Sequence, residues 1–244
     1  MADPAYVASS AALVETATKD ANITPALPVG WSAGQYAIAH VVCSAFGGGV
    51  VTPTIVDSGA SGWTQLMAEI YASGYANSRS PRMRLYYRTL QGGDAAPNFQ
   101  MTGGSNDGTS ARIGAKIHTF SDVDNVVIAT GSHGDAATVT GNGLTATVAN
   151  ALVVGFVGIG DSNTHTLQAC TDPAVMTERA DDTVSARLGL MMASGVQVVT
   201  GATDSFVSTP TSDDPWCVQL IALQAAVPAS GLFKGSLGCL GAGK

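Results

Sequence analysis

The chain has 244 residues, a formal net charge of −7 and 45% apolar residues, so it can bury a large core and repels phosphate backbones. Only 12% of its residues are charged, against about 25% in an average globular protein, which leaves a surface of Ser, Thr, Asn, Gly and Ala suited to being covered by neighbours. No run approaches the ~18 apolar residues of a membrane span, and MADPAYVASSAALVETATKD has neither the basic start nor the apolar stretch of a signal peptide. Nucleic acid and membrane are therefore not expected as partners, and synthesis in a cytoplasm is.

Helical periodicity is nearly absent along the chain. Short runs rich in Val, Ile, Thr, Tyr and Phe alternate with clusters such as FGGG, QGGD, GGSNDG and GIGDSN, a pattern of many short strands with tight connections. The expected fold is all-β: an antiparallel, jelly-roll-like β-sandwich with two similar strand sets and extended terminal arms. Residues 1–25 read as an N-terminal arm with one strand, 26–227 as the sandwich, and 228–244 as a C-terminal arm.

The first strand set begins with AGQYAIAHVV at 33–42. Its alternation puts Ala37 and Ala39 on one face and Tyr36, Ile38 and Val42 on the other, so His40 and the nearby Cys43 read as packing residues. GWTQLMAEI follows at 62–70; Trp63, like Trp31, stands after a glycine and reads as a cap on the end of the core, with sugar stacking as the rival role.

PRMRLYYRTL at 81–90 places Arg82, Arg84, Tyr86 and Arg88 on one strand face and Met83, Leu85 and Tyr87 on the other. A solvated face explains that pattern. The sharper reading makes Arg82, Arg84, Tyr86 and Arg88 contacts for an acidic partner or an anionic glycan, because Arg and Tyr dominate recognition surfaces. NFQMTG (98–103) and ARIGAKIHTFSDV (111–123) close the set, with His118 in a place like that of His40.

The second pass runs through ANALVVGFVGI (149–159), AVMTERADD (174–182), VSARLGLMMAS (184–194), DSFVSTP (204–210) and PWCVQLIALQAAV (215–227), where Trp216 opens the last strand. After it, PASGLFKGSLGCLGAGK (228–244) has too few apolar residues for a core, yet Leu232, Phe233, Leu237 and Leu240 are too apolar for solvent. These four are the candidate assembly arm.

Chemistry finds little footing. His40, His118, His133 and His165 form no HxH or HExxH spacing, Cys43, Cys170, Cys217 and Cys239 form no CxxC, and no GxSxG elbow occurs. No catalytic, cofactor-binding or metal-binding residue is expected. The aspartates Asp107, Asp122, Asp124, Asp161, Asp181, Asp182, Asp213 and Asp214 lie in turn-like contexts, where turn formation outweighs calcium binding. Reduced, buried thiols are expected, and the spacing leaves a disulfide open.

ALPVGWSAGQYAIAHVV, SGWTQLMAE, RMRLYYRTL, IGAKIHTFSDVD, VANALVVGFVGI and WCVQLIALQAA occur in an order that resembles a family of jelly-roll-like modules of roughly 200 residues in tailed-bacteriophage virion proteins and some bacterial surface proteins. The resemblance spans about residues 24–226, with Gln35 where the family pattern has an aspartate. It implies a structural role on the exterior of a virion, as capsid decoration or a tail or collar appendage. Other virion proteins and further copies of the chain would be the partners, no cofactor is implied, and the site of residence would be the virion. The alternative expectation is a lectin-like module that recognises host cell-surface glycan.

Overall fold

A computed structural model describes residues 2–17, 22–44, 54–57, 62–72, 80–102, 111–185 and 188–226. The described chain is all-β. Its first half carries β1 (Ala5–Ser9), β2 (Leu13–Ala17), β3 (Asn22–Ile23), β4 (Tyr36–Ser44), β5 (Thr54–Asp57), β6 (Thr64–Gln65), β7 (Ile70–Tyr71), β8 (Pro81–Thr89), β9 (Phe99–Thr102) and β10 (Ala111–Ser121). The second half carries β11 (Asn125–Ile128), β12 (Ser132–Gly134), β13 (Val139–Gly141), β14 (Thr145–Ala146), β15 (Ala151–Ile159), β16 (His165–Ala169), β17 (Thr177–Ser185), β18 (Leu188–Gln197), β19 (Gly201–Ala202), β20 (Phe206–Pro210) and β21 (Trp216–Gln224).

The two halves repeat one topology. The first large sheet runs β1–β10–β4–β8–β6, with β2 also on β10 and β7 also on β8; the second runs β11–β21–β15–β18–β17, with β12 also on β21. Each has a small companion sheet, β3–β9–β5 and β13–β20–β16, in matching order. All pairings are antiparallel, and the long strands β4 and β15 sit at the centre of their sheets. The expected repeat of strand order is present, but each pass closes a sandwich of its own. The two sandwiches then stack through their large sheets.

Three apolar layers result. Between the large sheets, Ile38, Val42, Met83, Leu85 and Phe120 of the first meet Leu152, Val154, Phe156, Leu190, Met192 and Ile221 of the second. The outer face of the first large sheet, with Ala37, Ala39, Val41, Cys43, Ile113 and Ile117, packs on Ile23, Phe99 and Met101. The outer face of the second, with Val153, Val157, Met191 and Leu220, packs on Val139 and Phe206. Both faces of each central strand are therefore buried, which is why β4 and β15 are apolar at nearly every position.

The large sheets touch closely at one point: a Cβ built on Gly158 lies 2.7 Å from a Val42 methyl. Only glycine fits there. The N-terminal segment expected as an arm with one strand carries three short strands, β1 and β2 on β10 and β3 on β9, because Ser10 and its neighbours supply backbone partners to the β10 edge. Residues 228–244 and the candidate arm Leu232, Phe233, Leu237 and Leu240 lie outside the described residues.

Candidate functional site

The arginine strand is the first candidate from sequence. Arg82 donates to Glu69, Arg84 Nε lies 3.2 Å from the same carboxylate, and Arg88 pairs with Asp94. The Arg82 guanidinium also stacks 3.9 Å over the Tyr71 ring. Tyr86 keeps its place on that face but is not a surface residue: it is 2% exposed and packs at 4.9 Å on Phe99, because the small sheet closes over that part of β8. The face is thus a set of half-covered ion pairs and one core aromatic. Trp63 and Trp216 are buried as well, the indole of Trp216 donating to the Ala136 carbonyl at 3.2 Å.

His40 and His118 lie between the two large sheets, their rings 5.3 and 5.7 Å from Phe156. His40 Nε2 has the Met83 sulfur 3.2 Å away. Burial, helped by the charge of Lys116, pushes His40 down to about 3; burial, His40 and Lys116 hold His118 well below the usual imidazole range. Both are neutral packing residues. Cys217 sits in the same layer and Cys43 on the opposite, outer face of the first large sheet, both with thiols that burial pushes up.

One histidine keeps company that suggests chemistry. His165 of β16 has its Nδ1 2.5 Å from Ser208 Oγ of β20, and its backbone N–H donates to Asp181 Oδ2 of β17 at 2.8 Å. The aspartate serves the main chain and not the ring, and Ser208 is fully buried, so no substrate carbonyl can reach the hydroxyl. Burial pushes His165 down to about 4 and Asp181 up to about 6. This is a closed structural contact. Several other aspartates also do turn work: Asp214 accepts from Ser212 at 2.9 Å and from Asn163, and Asp161 accepts from the Ser162 amide at 2.7 Å. Asp107 lies outside the described residues.

Among the described residues, two open clefts stand out. A cleft of about 570 Å3 between the sandwiches is lined by Met67, Glu69, Tyr71, Ile128, His133 and Gln219. Its main polar groups are already engaged, Glu69 by the arginines and the Gln219 amide by the Ala129 and Leu220 carbonyls.

The other cleft, about 460 Å3, is lined by Leu152, Asp172, Val175, Arg179, Val196 and Val198. Around it stand the most exposed large apolar side chains among the described residues of the second sandwich: Val175 at 72%, Val198 at 64%, Val199 and Val196. Gly195 makes the arrangement possible, since a Cβ there would overlap the Val175 carbonyl oxygen; without one, the 170–176 loop lies directly on β18. Clustered exposed valines of this kind are a candidate contact surface. Sequence reasoning missed them. The signal was VQVV at 196–199, three valines in four residues running off a strand end into a turn. No protein-family model, no curated protein and no solved structure matches the chain.

Proposed function

We propose that this chain is a structural component of a bacteriophage virion exterior, a capsid decoration or a tail or collar appendage, that acts by protein–protein assembly. The valine cluster at 175 and 196–199 carries this reading: it is an apolar surface on a protein whose large sheets are covered on both faces. The burial of His40, His118, His165, Ser208 and the thiols of Cys43, Cys170 and Cys217 agrees with a role without covalent chemistry. The order of strand motifs that resembles phage virion modules supplies the particle context.

The glycan-binding alternative has less support, since Tyr86 is a core residue and Arg82, Arg84 and Arg88 each face a carboxylate. The test is sedimentation of the purified full chain over a concentration series, with its copy number measured in purified particles. An oligomer in solution and a fixed stoichiometry on particles is the expected result. A monomer at every concentration that never co-sediments with particles would overturn it.

A further inference from the structure

The occupant of the valine cleft can be argued from where the chain leaves the second sandwich. Leu223 of β21 is registered against Leu152 of β15, and Leu152 against Val196 of β18. Neighbouring strands lie about 4.8 Å apart, so the end of β21 is roughly 10 Å from the cleft, on the same rim. The residues that follow, 228–244, hold Leu232, Phe233, Leu237 and Leu240 at short intervals.

Charge agrees with apolarity. Residues 228–244 contain Lys234 and Lys244 and no acidic residue; the remaining nine Lys and Arg and all eighteen Asp and Glu lie before them, so +2 faces a body of −9. Asp172 lines the cleft. The Arg179 head, also on its wall, is engaged with Ser194 Oγ at 3.0 Å and with the Tyr6 ring.

Resting on the assembly reading above, we infer that residues 228–244 of one copy seat in the cleft formed by Leu152, Val175, Val196 and Val198 of a second copy. A root and a receptor on one rim suit a two-fold pair: rotation about an axis at that rim brings each root beside the other copy's cleft, and the exchange is reciprocal. The apolar side chains of the segment cover the valines, and its lysines approach Asp172.

The test uses the full chain carrying Val198→Cys, a change at an exposed position that leaves the core alone. Cys43, Cys170 and Cys217 are buried, which leaves Cys239 within 228–244 as the designed partner. Diamide takes up the two thiol hydrogens as the disulfide forms. The expected result is a covalent dimer on a non-reducing gel that needs both thiols: it is absent from the parent chain, which excludes a Cys239–Cys239 link, and disappears when Cys239→Ser is added.

An internally linked monomer would overturn the exchange, because the segment would then sit on its own chain. A dimer that survives Cys239→Ser would overturn it too, since two valine clusters would be meeting directly. If no link forms while the unmodified chain still sediments as an oligomer, the seat is wrong and the assembly reading stands. If no link forms and the unmodified chain is a monomer, both fail.

Discussion

Lys116 Nζ lies 2.6 Å from Asp182 Oδ2, and this pair ties the first sandwich to the second across the rim of their shared layer. The lysine is nearly buried and registered opposite His40, while Asp182 on β17 retains about a third of its exposure. That asymmetry fixes which half of the pair matters more. Asp182→Asn leaves a cation in a dry layer beside two neutral histidines and is expected to cost roughly 2–4 kcal/mol, because an unmatched buried charge is expensive. Lys116→Met leaves a carboxylate that water can reach and should cost about 1 kcal/mol or less. Urea denaturation midpoints of the two variants would settle the order; equal losses would refute it.

Acid should weaken the fold through its buried histidines. His40 at about 3, His165 at about 4 and the depressed His118 stay neutral in the folded chain, whereas in the unfolded chain they take up protons near the ordinary value of about 6.5. The unfolded state therefore binds more protons below that value. Stability is full above pH ~6.5 and falls as the pH drops toward 4. Asp181, pushed up to about 6 by burial, works the other way between its ordinary value and 6, protonating first in the folded state and softening the loss. His118→Leu is expected to flatten the acid limb and Asp181→Asn to steepen it, as read from melting temperatures between pH 4 and 8. A His118→Leu profile parallel to that of the parent chain would refute the assignment.

The contact of Gly158 with Val42 should behave as a lock between the two large sheets. Gly158→Ala drives a methyl to 2.7 Å from a stiff, β-branched side chain, and overpacking of this kind costs about 1–3 kcal/mol. Val42→Ala opens a space of about the right size. The double variant is expected to be more stable than the sum of the two losses allows, since neighbours in contact couple. Strict additivity in a denaturation cycle would show that the sheets do not meet there.

Thiol reactivity gives a rapid check on the interior. Cys43 and Cys217 are fully buried and Cys170 nearly so, its S–H directed at the Asp172 and Asp204 carbonyls at 3.2 and 3.3 Å. Burial pushes all three thiols up, away from the reactive thiolate. In a Cys239→Ser background the native protein should show no fast reaction with an aromatic disulfide reagent, and all three thiols should react in denaturant. Fast labelling of any one in the native state would contradict the packing.

The strand pattern and its repetition were legible because they depend on local alternation. In AGQYAIAHVV the small residues Ala37 and Ala39 and the larger Tyr36, Ile38 and Val42 fall on opposite faces, and both faces prove to be packed. The placement of His40 and Cys43 as interior residues followed from the same spacing. What the spacing cannot express is which sheet covers a face. Arg82 and Arg84 looked like a recognition row because Glu69 lies on a different element, and Tyr86 looked like their companion because Phe99 reaches it only through the small sheet. The valine cluster was hidden for the same reason. Val196 and Val198 continue a buried strand in sequence, and it is only in the folded chain that the end of β18 and the turn after it are seen to lie uncovered.

The rims of the two large sheets bear on how such a protein stays out of fibres. β6 and β7 are two residues each, β1 and β2 share one edge in two pieces with a register shift between Tyr6 and Ala8, and β11 and β12 divide another. β17 closes the last edge with Glu178, Arg179, Asp181 and Asp182 and two register shifts of its own. None of these edges offers a long, flat row of amides on which a foreign strand could be templated. Strand addition at these rims of the large sheets is therefore disfavoured, and contacts made there by crowded copies would depend on the fit of side chains instead of on backbone pairing.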